Sequence, residues 1–383
     1  MSNSLAVRFQ GRDPGLPHRV LDLRIRSDVT LRTPARAFDP RLTHDFSYPQ
    51  KNVALFEAYS RVSRARTLDR IRDKSEELRH ANRLSALRSG STDRPLILLQ
   101  DYSEKNYPSD SELEYIIRVE HSHSDLILPP LVSRITDTMN AGAGFDRYVD
   151  FLKRAIAVID TFNHKPVMGV IPLRTPFIRI SDLVEFYAKR GVTAYCLDFA
   201  ANKPDTTIQS LEQVLFTLAE TRQLDSSYIH AVNVSPGRPR SQTTTAPCHN
   251  ILALGYGVDS FGDLHRTRMA PDNPMPPPAV IHPRLFLSKD YGDYLIRSRR
   301  DLTPFQGLRT TIPIDTCVGN RDAAKLLNTE FQSVESAKTG RLVLSSSELS
   351  KVSPYLGSKK FVPKSDLQSM SSLGAEISKR SRK

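Results

Sequence analysis

Short apolar runs recur through the middle of the chain, and turn-forming or polar residues follow each of them. The runs are continuous rather than alternating, which is typical of parallel strands that are covered on both faces. Five such runs lie at residues 95–99, 125–128, 167–171, 192–197 and 228–234, and a sixth lies within 250–268.

Amphipathic helical patterns separate these runs. Phe151, Ala155 and Ile159, for example, recur at the spacing of one helical face. Alternation of strand and helix predicts a parallel sheet with crossover helices. We therefore predict an α/β fold, a (β/α)8 TIM-type barrel. Its two remaining strands must come from residues 20–90, where the pattern predicts a hairpin at 20–31 and helices at 51–90.

The same patterns divide the chain into four parts. Residues 1–90 form an N-terminal extension whose hairpin and charged helices complete the barrel, and residues 91–270 are the main β/α units. Residues 271–344 are a proline-rich wrap with a C-terminal extension. Residues 345–383 are rich in Ser and Lys and are predicted to be a partly disordered basic tail.

Charge and cysteine content narrow the partners and the compartment. The formal net charge of +12 favours polyanions, although the excess of cations can also serve to keep the tails soluble. Cys196, Cys248 and Cys317 lie far apart and form no zinc pattern, which favours a reducing cytoplasm. No apolar run approaches the roughly 20 residues of a membrane span. We expect no metal, no cofactor and no membrane contact.

Polar residues at the ends of the predicted strands are the candidate site. Active sites of β/α barrels gather at the carboxyl ends of the strands, and acids there can serve as nucleophile and general acid. For any single acid, capping of the next helix is the alternative explanation. The candidates are Gln100, Asp101, Asp198, Asn233, Asp263 and His265.

Arginines follow two of the same strands. Guanidinium groups on this face can bind the phosphates of a nucleic acid or nucleotide, and the alternative is that they only solvate the loops. The candidate phosphate-binding residues are Arg238, Arg240, Arg266 and Arg268.

The segment 257–268 resembles the late signature of tRNA-guanine transglycosylases, a family that exchanges guanine for a 7-deazaguanine base in nucleic acid. The family pattern is G-[VI]-D-x-F-D-x-[VL]-x-P-T-R, and this chain has GVDSFGDLHRTR without a gap. Residues 94–101 also resemble the strand that ends in the family's other essential aspartate, here Asp101. The resemblance covers roughly residues 31–270 and implies the barrel fold.

Several positions depart from the family pattern. Gly262 stands where the family has its nucleophilic aspartate, and Asp263 comes one residue later. The strands that end before Pro129 and Pro172 lack the acid and the glutamine that read the base, and the zinc site of cysteines and histidine has no equivalent.

The resemblance implies an enzyme similar to queuine or archaeosine tRNA-ribosyltransferases. Asp263 would attack the sugar C1′ and Asp101 would handle the proton. Asp198, Asn233, Gln100 and His265 would contact the substrate. The alternative is a catalytically degenerate paralogue that binds nucleic acid or a protein, and a barrel enzyme on a small phosphorylated metabolite comes third.

The partners that the resemblance implies are tRNA or DNA and a 7-deazaguanine-type base. The sequence leaves a homodimer open as the assembly.

Overall fold

The computed structural model describes residues 5–88, 93–162, 165–237, 243–266 and 282–381, which form a mixed α/β structure. The strands are β1 (Ala6–Arg12), β2 (Arg19–Arg24), β3 (Thr30–Arg32), β4 (Ala35–Phe38), β5 (Leu55–Val62), β6 (Leu96–Tyr102), β7 (Met168–Pro172), β8 (Ala194–Asp198), β9 (Tyr228–Val232), β10 (Thr245–Pro247), β11 (Ser260–Phe261), β12 (Arg284–Leu287) and β13 (Gly292–Leu295).

The α-helices are α1 (Pro40–Asp45), α2 (Arg64–Arg72), α3 (Lys74–Ala86), α4 (Asp110–His123), α5 (Ser133–Thr136), α6 (Ala143–Phe162), α7 (Ile180–Ala188), α8 (Ile208–Glu220), α9 (Arg321–Ser345), α10 (Val352–Gly357) and α11 (Lys364–Arg380). Short 3-10 helices lie between them, and two longer ones span Ile251–Tyr256 and Arg299–Phe305.

Seven strands form one parallel sheet, in the order β6, β5, β4, β11, β9, β8, β7. Residues 125–131 hydrogen-bond to both of its edges. The Leu131 amide donates to Gln100 O at 2.8 Å, and the Ile127 amide donates to Pro166 O at 2.9 Å. Both edges therefore curl toward the same segment. The result is a half-barrel compatible with a TIM-like fold, with seven strands in the sheet rather than the predicted eight.

Two strands in the N-terminal region were hard to identify from the sequence. Residues 55–62, predicted as helix, form β5, which lies between β4 and β6. A central strand is apolar on both faces, so its pattern also fits a buried helix. β4 and β5 are the two strands that residues 20–90 had to supply. Within the predicted helical stretch 51–90, the α-helices are α2 and α3.

The predicted strand within 250–268 is also much shorter than expected. Residues Ile251–Tyr256 form a 3-10 helix, and only β11 joins the sheet. Gly257, with φ of 92°, turns the chain between them. This left-handed conformation is one that glycine adopts at little cost.

Apolar layers cover both faces of the sheet. Helices α4, α6, α7 and α8 bury residues such as Phe151 and Leu183 against the outer face. On the inner face, Leu55 and Met168 join one cluster with Leu21 of β2. The predicted hairpin at 20–31 is confirmed as the antiparallel pair β2 and β3.

The C-terminal part is folded through residue 381. β10, β13 and β12 form a small antiparallel sheet, and α9 contacts both β4 and β12. The prediction of a disordered tail from residue 345 is wrong for the described part, because Met370, Leu373 and Ile377 bury one face of α11. Among the described helices, none combines the length and apolar character needed to cross a membrane.

Candidate active site at the carboxyl rim of the sheet

The carboxyl ends of the parallel strands bring five of the predicted catalytic and substrate-binding residues into one hydrogen-bonded region. We call this region the rim cluster. It contains Asp101, Asp198, Asn233, Asp263 and His265 as predicted, together with Arg36, Glu57, Tyr59, Asp137, His230 and Arg266.

Glu57 of β5 lies at the centre of the rim cluster. Its carboxylate accepts hydrogen bonds from His230 Nε2 at 2.6 Å, His265 Nε2 at 2.5 Å and the Asp263 amide at 3.0 Å. Burial alone raises the pKa of a carboxyl, but the hydrogen bonds from His230 and His265 lower the pKa of Glu57 below its usual value. Glu57 is therefore a buried anion held by two imidazoles.

A chain of hydrogen bonds leads from Glu57 into the sheet interior. His230 Nδ1 lies 2.7 Å from Ser260 Oγ, which lies 2.6 Å from the Tyr228 hydroxyl. We assign Tyr228 as donor to Ser260 and Ser260 as donor to His230, because His230 Nε2 already donates to Glu57. Each polar group then has a partner in a fully buried setting.

His265 connects Glu57 to Asp101. Its ring stacks on Tyr59 with centroids 4.7 Å apart, and the Tyr59 hydroxyl donates to Asp101 at 2.7 Å. Burial lowers the pKa of an imidazole, but the hydrogen bond and charge of Glu57 raise the pKa of His265 above its ordinary value. Burial raises the pKa of Asp101, and the nearby Asp198 adds to this. A carboxyl that keeps its proton to higher pH is suited to general acid catalysis.

A second group in the rim cluster surrounds Asp198. Its oxygens accept hydrogen bonds from Asn233 Nδ2 at 3.0 Å and from Arg266 Nη1 at 3.2 Å. Arg266 also donates to Asp137 at 2.6 Å. Asn233 Oδ1 in turn accepts the His265 amide at 3.0 Å. Asn233 thus connects the ends of β8 and β9 to the segment after β11.

The backbone beside Asp198 is strained. Ala200, Ala201 and Asn233 have φ values of 51°, 60° and 56°. The left-handed region costs an L-residue other than glycine about 1–2 kcal/mol, and such conformations cluster at functional sites. The strain is held by the Ala200 amide, which donates to Asp198, and by the Ala201 amide, which donates to Asn233 O.

The side chain of Asp263 forms an ion pair with the buried Arg36 of β4. Arg36 Nε donates to Gln332 of α9 at 2.9 Å. The preceding residue, Gly262, packs directly on Glu57, because a Cβ atom there would lie 1.7 Å from Glu57 Oε2. The Glu57 carboxylate therefore occupies the space that a side chain at position 262 would need.

Two predicted roles do not agree with the structure. Gln100 points outward and donates to Ile116 O of α4 at 2.7 Å, so its assignment as a substrate contact is wrong. Its neighbour Asp101 points to the rim, because successive strand residues face opposite sides. Arg266, predicted to bind phosphate, is 11% exposed and pairs with Asp198 and Asp137. The other three candidates lie outside the described residues, namely Arg238, Arg240 and Arg268.

Sequence reasoning missed several members of the rim cluster. Glu57 and Tyr59 lie two residues apart on β5 and share one face, a strand signal that the helical interpretation concealed. Arg36 lies on the four-residue strand β4, too short to carry a clear pattern. His230 lies inside an apolar run, where a polar residue is notable.

The described residues contain no group of three His, Cys, Asp or Glu side chains arranged to hold a metal ion. His230 and His265 both face the Glu57 carboxylate rather than a shared empty point. Comparison of the chain with protein-family models and with curated proteins finds no match.

Proposed function

We propose that the rim cluster is the active site of a base-exchange glycosyltransferase that acts on tRNA or DNA. The observation that carries this proposal is the convergence of carboxylates from separate strands on one connected network. Glu57, Asp101 and Asp198 come from β5, β6 and β8, and Asp263 lies two residues after the end of β11. Acids with a purely structural role could each pair with a separate partner and would not need to converge on one network.

The proposal includes a complete ring of β/α units. Residues 125–131 would be the eighth member, since they bridge Asp101 on one edge and Val167 beside the other. In a ring of this kind the strand ends form one mouth, and substrates enter there. The resemblance of residues 257–268 to the transglycosylase signature is consistent with that architecture.

In the proposed reaction, a carboxylate oxygen of Asp263 bonds to the sugar C1′ and the glycosidic C–N bond breaks. The departing base takes a proton from Asp101. An incoming base, a guanine or 7-deazaguanine, then attacks C1′, releases Asp263 and returns its proton to Asp101. The target nucleotide must leave its base stack to reach the rim. Asp198, Asn233 and His265 are the proposed contacts to the base.

The charge of the rim supports this chemistry. Five acidic side chains, Glu57, Asp101, Asp137, Asp198 and Asp263, share three arginines, Arg36, Arg174 and Arg266, and His265 as cationic partners. Cleavage of a glycosidic bond passes through a transition state with positive charge on the sugar. An excess of carboxylates stabilises that charge.

A non-catalytic nucleic-acid-binding protein is the second candidate. Glu57 fills the space beside Gly262, and Arg36 pairs with Asp263. Both contacts favour a non-catalytic protein. Glu57 fills the space that a nucleophile at position 262 would need, and Arg36 neutralises the carboxylate of Asp263. The transglycosylase proposal requires that Asp263, which is 20% exposed, reach C1′ from its present side.

Labelled guanine and a labelled 7-deazaguanine, incubated with bulk tRNA and with duplex DNA, distinguish the two candidates. We expect incorporation by the native chain and a loss on the order of 10³-fold in Asp263→Asn, about 4 kcal/mol of activation free energy. Nucleic-acid binding should change little. Asp160→Asn, an exposed acid on α6, is the matched control and should incorporate label normally. Unchanged turnover in Asp263→Asn would remove the assignment, and binding without any incorporation would favour the second candidate.

A further inference from the structure

A cleft of about 310 Å³ lies between the rim cluster and the C-terminal part of the chain. Arg36 and Asp263 of the rim line one side, and β12, β13 and α9 line the other. Its volume is at the lower end of the roughly 300–1,000 Å³ found for small-molecule sites.

One face of α9 forms a polar wall of this cleft. Arg321, Lys325, Asn328 and Gln332 recur at the spacing of a single helical face and all line the cleft. The inner two are fixed: Asn328 accepts the Phe286 amide at 2.7 Å, and Gln332 accepts Arg36 Nε at 2.9 Å. The outer two are exposed cations.

The cations of the cleft are weakly neutralised. Arg321 has no ion-pair partner among the residues that the structure describes, and Lys325 lies 3.7 Å from Asp322 one turn away. Arg284 of β12 donates to the backbone carbonyls of Asp293 and Thr243, at 2.9 and 3.4 Å. Carbonyls orient a guanidinium without cancelling its charge. Because Asp293 attracts Arg284 and Asp263 pairs with Arg36, the net positive charge of the cleft comes from Arg321 and Lys325.

Asp293 of β13 gives the cleft a buried acceptor. Its side chain is 7% exposed and lines the cleft, yet its carboxylate accepts no hydrogen bond from any residue in the described ranges. Burial raises the pKa of Asp293 from 3.8 to about 6. A carboxylate that lines the cleft can accept a hydrogen bond from a ligand N–H.

We propose that this cleft binds a nucleotide that neighbours the target nucleotide in the nucleic-acid substrate, with its phosphate at Arg284, Arg321 and Lys325 and a base N–H edge at Asp293. The inference rests on the proposed function, because that function supplies the nucleic acid. It assigns phosphate contact to the C-terminal part of the chain, whereas Arg266 is occupied by carboxylates. Gln332 and Arg36 connect the cleft directly to Asp263.

The phosphate contact is tested by measuring the binding of a short, labelled, single-stranded oligonucleotide. Fluorescence anisotropy gives the affinity at each concentration of a salt series. The charge reversal Arg321→Glu with Lys325→Glu should weaken binding at least tenfold at low salt. It should also reduce the slope of log K against log salt by about 1.4, because each single-strand phosphate contact contributes about 0.7. Glutamate is favourable at the start of a helix, so α9 should remain folded. Arg341→Glu, exposed on the same helix, is the control and should bind like the native chain.

An abasic oligonucleotide of the same length tests the base contact. Asp293→Leu should weaken binding of the normal oligonucleotide severalfold and leave the abasic one unchanged. Equal effects on both oligonucleotides would contradict a base contact at Asp293.

These results separate the inference from the proposed function. Normal binding by the double charge reversal overturns the inference, and base incorporation by the native chain would still support the enzyme. Cleft-dependent binding without incorporation supports the inference and argues against catalysis. If the native chain binds neither oligonucleotide at any salt concentration, both are wrong.

Discussion

The two ends of β11 carry acids of the same type in opposite settings. At the amino end, Asp259 is fully buried and its oxygens accept Arg19 Nε at 2.7 Å and Nη2 at 2.6 Å. The Ile229 amide also donates to it at 2.7 Å. Arg19 donates in addition to the Ser227 and Leu224 carbonyls. Both charges of this pair are buried, and each has a fixed partner.

At the carboxyl end, four residues later, acids outnumber their cationic partners. Asp101 accepts a hydrogen bond from the neutral Tyr59 hydroxyl rather than pairing with a cation in the described residues, and the adjoining backbone at Ala200 and Ala201 is strained. The comparison teaches that the role of an aspartate in a sequence motif cannot be assigned from its residue type alone. Complete bidentate pairing indicates a structural role for Asp259, and shared, incomplete compensation at the rim is consistent with the chemical role that we propose for it.

The largest effect that this comparison predicts is on stability at the amino end. Arg19→Met should lower the free energy of unfolding by about 3–5 kcal/mol, because it leaves Asp259 as an uncompensated buried charge. Urea unfolding measures this loss. Arg24→Met, an exposed arginine on the same strand, is the control and should stay within about 0.5 kcal/mol.

Replacing both partners sharpens the same comparison. Arg19→Met combined with Asp259→Leu should recover much of the lost stability, because no charge remains buried. If the single Arg19→Met variant is as stable as the native chain, the structural role of the pair is wrong.

A smaller effect is predicted at the rim, with a characteristic pH dependence. At pH values where Glu57 and His265 are both charged, Glu57→Gln should lower the free energy of unfolding by about 2 kcal/mol. The lowered pKa of Glu57 stabilises the fold above its usual 4.5 and loses that contribution as the pH falls. The raised pKa of His265 stabilises the fold below its usual 6.5 and loses that contribution as the pH rises through the raised value. The deficit of Glu57→Gln should therefore be largest between about pH 4.5 and 6.5.

Urea unfolding of the native chain and of Glu57→Gln at about pH 5.5, inside this window, and at about pH 9, above it, checks the prediction. Glu114→Gln, an exposed glutamate on α4, should show no such dependence. A deficit that is equal at the two pH values would mean that the Glu57 contacts do not act as an ion pair with His265.

The regular β/α alternation could be predicted from the sequence because strands covered on both faces are continuously apolar. The same regularity located Asp101, Asp198, Asn233 and His265 at one rim. Gln100 was misassigned because one residue of phase decides which face of a strand a side chain occupies.

Other features could not be predicted because they depend on contacts between distant segments. Arg36 and Gln332 meet only in the folded chain, so the cleft beside α9 leaves no local pattern. Glu57 was concealed because β5 also fits a helical pattern. In α11 the apolar positions Met370, Leu373 and Ile377 are diluted by Ser and Lys, so composition suggested disorder where spacing specified a helix.

Trapping of a covalent intermediate is the most direct test of the claim that the rim is the chemical end of the sheet. The native chain, incubated with a nucleic-acid substrate and no incoming base, then digested and examined by mass spectrometry, should carry a sugar-linked adduct on the peptide that contains Asp263. Asp263→Asn should carry none. An adduct on another carboxylate would move the nucleophile, and the absence of any adduct under conditions of full nucleic-acid binding would contradict the claim.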